Sequence, residues 1–95
     1  PKMVWSVQAM ADNQLKVSLQ NQGSAHVQVT DFSLYRPGGS QAVASELSST
    51  YIMAGQSHAW LVKTATSEEF VDGRLQLKAF TDAGDVDTQL VLGKP

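Results

Sequence analysis

Along most of this chain apolar and polar residues alternate one for one, the period of a strand with one face buried. Met3, Trp5, Val7 and Ala9 alternate with Val4, Ser6, Gln8 and Met10, and Ala11-Asp12-Asn13-Gln14 then reads as a hairpin turn. Leu15, Val17 and Leu19 alternate with Lys16, Ser18 and Gln20 in the cleanest such run. Asn21-Gln22-Gly23-Ser24 predicts a second turn, on residue types that tolerate positive φ. Ala25, Val27 and Val29 continue the alternation, with His26, Gln28 and Thr30 outward. Phe32 and Leu34 then fall on even positions. A one-residue slip turns every side chain to the other face, so a bulge or bend is predicted near Thr30-Asp31, where the strand is able to pass between sheets.

Arg36-Pro37-Gly38-Gly39-Ser40 is the strongest turn signal. The small, polar run Gln41 to Ser49 is too short to hold a helix alone, and predicts a short edge strand plus loop anchored by Val43 and Leu47. Ser49 to Val62 holds the most large side chains. It reads as a turn at Gly55 into a central strand, with Tyr51, Met53 and either Trp60 or Leu61 closing the core. Lys63 to Gly73 reads as a loop carrying Glu68 and Glu69, pinned by Phe70. Leu75, Leu77 and Ala79 mark a further strand, Thr81 to Asp85 a turn, and Val86, Thr88, Leu90 and Leu92 the last strand.

Short strands, turns every 8–12 residues and no helical periodicity predict an all-β fold. The expected form is an antiparallel, immunoglobulin-like β-sandwich of about seven strands. At 95 residues the chain makes one domain, residues 1–95, with one modest core. The Cys…Trp…Cys signature of antibody domains is absent, because the chain has no cysteine. That also removes disulfides, thiol catalysis and zinc–thiolate sites.

Composition narrows the function further. Charged residues are 17 % of the chain, below the usual ~25 %. The net charge is −2, both signs are scattered, and no basic run offers an electrostatic footprint for nucleic acid. No apolar run approaches the ~18 residues of a membrane-spanning helix, and no signal peptide is present. The start at Pro1, inside a strand lead-in, reads as a cut from a longer protein.

Candidate chemistry is sparse. His26 and His58 are the only histidines, and their separation is no metal-ligand spacing; they read as surface strand residues. Asp82, Asp85 and Asp87 flank Gly84 without the twelve-residue pattern of a calcium loop. Glu68-Glu69 reads as a solvated pair, and no serine sits in a nucleophile elbow. Trp5 and Trp60 suit a core better than a stacking platform. The expectation is therefore a non-enzymatic domain with no metal and no cofactor.

Three stretches, in order, carry a resemblance. They are Trp5 ahead of Leu15-Lys16-Val17-Ser18-Leu19 with the Asn-x-Gly-x-x-His turn Asn21–His26; Tyr51-Ile52-Met53-Ala54-Gly55 leading to Trp60; and Leu77-Lys78-Ala79-Phe80-Thr81-Asp82-Ala83-Gly84. Together they resemble the C-terminal domain of periplasmic pilus-assembly chaperones of the chaperone–usher pathway, most like the archaic branch. The resemblance covers nearly the whole chain. It implies the second domain of a two-domain periplasmic chaperone, which completes pilin subunits with a donated strand and delivers them to the outer-membrane usher. Donor-strand complementation of this kind is a form of β-augmentation.

In that family the donated strand and the basic residues gripping the pilin carboxylate belong to the N-terminal domain. The partners implied are pilin subunits, the usher and that N-terminal domain, with no nucleic acid and no membrane insertion. Thr81-Asp82-Ala83-Gly84 resembles the family's Asn-Asp-Tyr-Gly turn, departing at Thr81 and Ala83. By that match Asp82 joins a salt bridge across the interdomain cleft; read without it, Asp82 is an ordinary turn aspartate. A second reading of the bare pattern is an Ig-like structural or adhesive module of a bacterial surface protein.

Overall fold

A computed structural model describes residues 2–64 and 73–93. They form seven strands: β1 (Met3–Met10), β2 (Gln14–Asn21), β3 (Val27–Tyr35), β4 (Ala42–Ile52), β5 (Ser57–Lys63), β6 (Arg74–Thr81) and β7 (Gly84–Gly93). The fold is all-β, an immunoglobulin-like sandwich. One sheet is β1–β2–β5 and the other β4–β3–β6–β7, with antiparallel ladders throughout each. β7 joins the two sheets. Its last residues, Leu92 and Gly93, pair in parallel with Val7 and Gln8, so the strand order runs β4-β3-β6-β7-β1-β2-β5. β4 lies beside β3, whereas a constant-type antibody domain puts its fourth strand in the opposite sheet.

Local chemistry accounts for the hairpins. Asp12 and Asn13 take φ of +61° and +57° between β1 and β2, a region these side chains tolerate. Gly38 (φ +75°) and the bond from Gly39 N–H to Arg36 O (2.8 Å) close the β3–β4 turn. Gly55 adopts φ +79° in the turn that carries the chain from β4 into the opposite sheet. A Cβ there meets nothing within 4 Å, so only backbone strain opposes it. Gly55→Ala is expected to cost about 1 kcal/mol, read as a lower urea midpoint with an unchanged slope.

The core lies between the sheets. Leu15, Val17 and Leu19 of β2 and Val27, Val29, Phe32 and Leu34 of β3 are fully buried, as are Leu75 and Leu77 of β6. At the centre Trp5 and Trp60 stack with centroids 6.1 Å apart and planes 16° apart. Phe32 meets Trp60 at 5.0 Å and Trp5 at 6.1 Å. Two indoles from one sheet are thus closed by a phenyl ring from the other, and both tryptophans are core residues.

The predicted parity change is present. Both β3 ladders shift register between Val29 and Asp31, and the inward set passes from Val27 and Val29 to Phe32 and Leu34. β3 nevertheless stays in one sheet, so the bend does not carry it across. Thr30 hydrogen-bonds through Oγ1 to Phe80 O at 2.9 Å.

Three expectations need correction. Gln41 to Ser49 is not a short strand plus loop: β4 runs without a break from Ala42 to Ile52. Its buried anchor there is Ala44, and Leu47 is 85 % exposed. Backbone pairing to β3 extends β4 where its side-chain pattern is weak. Second, Tyr51 and Met53 are exposed while Ile52 is buried, because Ile52 lies opposite inward-facing Val27. Third, β5 is an edge strand, not a central one. Its inward residues are Trp60, opposite Val17, and Val62, opposite Leu15, so Leu61 faces out. The predicted loop carrying Glu68, Glu69 and Phe70 lies outside the described residues.

Both edges carry charge. Glu46 sits half-buried on β4 opposite inward-facing Phe32, and an inward-pointing charge on an edge strand discourages strand addition. Glu46→Val is expected to leave the fold intact and raise the aggregation rate at neutral pH, followed by light scattering.

Candidate binding end of the sandwich

Because β1 and β7 are parallel, their starts share one end of the molecule. The β2–β3, β4–β5 and β6–β7 turns lie at that end too, the first two around Asn21. Asn21 continues the inward parity of Leu15, Val17 and Leu19 and is fully buried. A buried polar group must find partners, and this one finds them on three segments. Nδ2 donates to Ala25 O (2.8 Å) and Ile52 O (2.9 Å), and Oδ1 accepts from Gly23 N–H (3.0 Å). Its backbone N–H donates to Gln56 O (2.9 Å) and its C=O accepts from Gly55 N–H (2.8 Å). Gln22 N–H reaches Lys2 O at 2.8 Å, which ties the start of β1 to the same group of turns.

Asn21 therefore does not serve as a positive-φ turn residue. It is a five-bond tie between the β2–β3 turn, the end of β4 and the β4–β5 turn. Its signal in the sequence was a polar side chain on the inward parity of an otherwise apolar strand.

Asp82 lies in the β6–β7 turn at this end. Its N–H donates to Gln28 O (3.1 Å), and Oδ1 accepts from Gln28 N–H (2.9 Å). The turn itself is held by Thr81, whose Oγ1 donates to Gly84 O (2.7 Å) and accepts from Ala83 N–H (3.1 Å). The bond from Gln28 N–H to Oδ1 fixes the direction of the Asp82 side chain. Its Oδ2 has no partner among the described residues. Asp82 is thus an exposed, pre-oriented carboxylate with one oxygen left to accept.

The other candidates are apart from it. His26 sits against Tyr51 with centroids 5.7 Å apart, and His58 against Trp60 at 4.7 Å, so each imidazole engages a ring. Asp85 and Asp87 are outward residues of β7, and Asp87 accepts from Gln76 Nε2. Among the described residues no three His, Cys, Asp or Glu side chains are grouped to hold a metal ion.

Between the starts of β1 and β7 a groove of about 410 Å³ is lined by Met3, Val4, Trp5, Val86, Thr88 and Leu90. It opens because the two strands pair only at Val7–Gln8 with Leu92–Gly93. Trp5 Nε1–H is buried without a hydrogen-bond partner among the described residues. The groove's side chains are apolar apart from Thr88, but polar atoms form much of its wall, and it brings no acid–base pair together.

The chain, an all-β sandwich whose turns gather around one buried asparagine, matches no protein-family model and no curated protein.

Proposed function

We propose that this chain is the C-terminal domain of a periplasmic chaperone that stabilises pilin subunits by donor-strand complementation and hands them to the outer-membrane usher. A pilin lacking one strand exposes a hydrophobic groove and unpaired backbone groups, a surface that aggregates unless covered. In this reading the N-terminal domain donates the strand. The present domain shapes the cleft and contributes no chemical step.

The observation that carries the reading is Asp82. It occupies the turn matched to the family's cleft aspartate, at the same end as the start of β1, with one carboxylate oxygen unengaged. A domain preceding β1 would attach at this end, within reach of that oxygen. The three stretches that carry the resemblance also converge here: the Asn21 turn, the Gly55 turn and the Thr81–Gly84 turn.

The test separates folding from assembly. Asp82→Asn keeps an oxygen for Gln28 N–H and removes the charge. In the isolated chain it is expected to change stability by less than about 1 kcal/mol. In the two-domain chaperone it is expected to lower the yield of soluble pilin complex. The isolated chain should fold and leave pilin to aggregate. Pilin binding by the isolated chain as tight as by the full chaperone would overturn the reading.

The exposed Leu47 and Phe80 side chains favour a second reading, an Ig-like structural or adhesive module that packs through its sheet face. An adjacent usher and pilin gene, or instead a long repetitive surface protein encoding this domain, distinguishes the two.

A further inference from the structure

The outer face of the β4–β3–β6–β7 sheet carries both charged and exposed apolar side chains. The cross-strand register lays it out in rows. One row is Leu47–Asp31–Phe80–Asp85, and the next is Ser45–Ser33–Lys78–Asp87, with one charge of each sign. Then comes Tyr35–Gln76–Gln89, and beyond it Arg74 stands beside Val91. Leu47, Phe80 and Val91 are 85 %, 51 % and 72 % exposed. The face is therefore acidic and apolar at one end and basic and apolar at the other. Six residues of β6 separate Phe80 from Arg74, about 20 Å at the usual strand rise.

We infer that this face is a self-association surface, on which a second copy of the chain packs with its strands antiparallel. A two-fold axis lying in the interface across the strands sets the Phe80 row of each copy over the Arg74 row of the other. Arg74 then lies over the Phe80 ring, between Asp31 and Asp85 of the second copy. An Arg over an aromatic face beside carboxylates is favourable twice over. The same contact occurs a second time by symmetry, as an isologous interface requires.

The alternative two-fold axis, along the strands, sets acidic row on acidic row and Arg74 on Arg74, and like charges facing each other oppose it. The charges of the two end rows thus favour the antiparallel arrangement, the Lys78–Asp87 row being neutral in sum. Four strands ~4.8 Å apart over ~20 Å give a face of about 400 Å² per copy, before side-chain relief is counted. Both copies together come to about 800 Å², below the ~1,200 Å² of stable specific interfaces and in the range of weak, transient contacts. The dimer is accordingly weak and concentration-dependent. The inference uses neither Asp82 nor the pilin reading, and stands or falls separately from both.

Sedimentation equilibrium of the purified chain tests it. A monomer–dimer equilibrium is expected between ~10 μM and ~1 mM, weakened about tenfold on going from ~20 to ~500 mM NaCl as the charge pairs are screened. Arg74→Glu alone should be monomeric across that range, and so should the Asp31→Lys/Asp85→Lys double variant. Mixed together, the two should dimerise, since each then meets its complement at both ends.

Circular dichroism establishes that the variants are folded; if Asp31→Lys disturbs the bulge, Asp85→Lys alone replaces the double variant. A wild-type chain still monomeric at the highest concentration, a dimer that survives Arg74→Glu, or a mixture that stays monomeric would each overturn the inference.

Discussion

Asn21→Ala is expected to lower the unfolding free energy by about 3 kcal/mol, although it removes only a few side-chain atoms. The substitution deletes three hydrogen bonds and leaves Ile52 O, Ala25 O and Gly23 N–H without their partner. Leaving a buried polar group unsatisfied costs roughly 1–3 kcal/mol, and Ile52 O is the most enclosed of the three. In a domain of this size each kcal/mol moves the melting temperature by roughly 4–8 °C, so a fall of about 15 °C is expected. Asn21→Asp sharpens the test. It matches the shape, but a carboxylate has no N–H for Ala25 O and Ile52 O and brings charge into a buried site. It should destabilise at neutral pH at least as much as alanine does. Urea melts of both variants decide the matter, and an aspartate variant within 1 kcal/mol of wild type would remove Asn21 from the centre of the turns.

The second large effect belongs to Phe32. Truncation to alanine is expected to cost about 3–5 kcal/mol, by lost burial and by the cavity left between the sheets. Phe32 is fully buried and touches both stacked indoles, so its loss also frees them. Tryptophan emission should shift to the red, and the near-ultraviolet circular dichroism of the Trp5–Trp60 pair should weaken. Phe80→Ala is the internal comparison. Phe80 lies half-exposed on the outer face of the same sheet, and substitutions there typically change stability by no more than about 0.5 kcal/mol. Equal losses for the two phenylalanines would contradict the inward set of β3 and β6.

Asp82 was visible in the sequence as an acidic turn residue, and its match to a known turn supplied a role to test. Its grip on Gln28, 54 residues away, was not visible, since nothing local in either residue specifies the other. Asparagine favours turns in general, so the sequence marks Asn21 as a turn former. Its own turn supplies one acceptor, Ala25 O, but the second and more buried one, Ile52 O, comes only with β4, 31 residues away. Tyr51 has the size of a core residue, yet Ile52 takes the inward place because Val27 lies opposite.

By itself the amino-acid sequence determined the strands of β1, β2, β3, β6 and β7, the faces they bury, the bulge at Thr30 and the turns at Asp12–Asn13, Gly38, Gly55 and Gly84. Each of these is local: side chains alternate every two residues, and a left-handed backbone selects asparagine, aspartate or glycine on the spot. The tertiary structure alone decided that β4 extends to eleven residues along β3, that β5 is an edge, that β7 joins both sheets and that two turns and the end of β4 close around Asn21. Those features rest on backbone hydrogen bonds between distant segments. Every residue offers the same N–H and C=O groups to such bonds, so their partners are chosen by the packing of the whole domain.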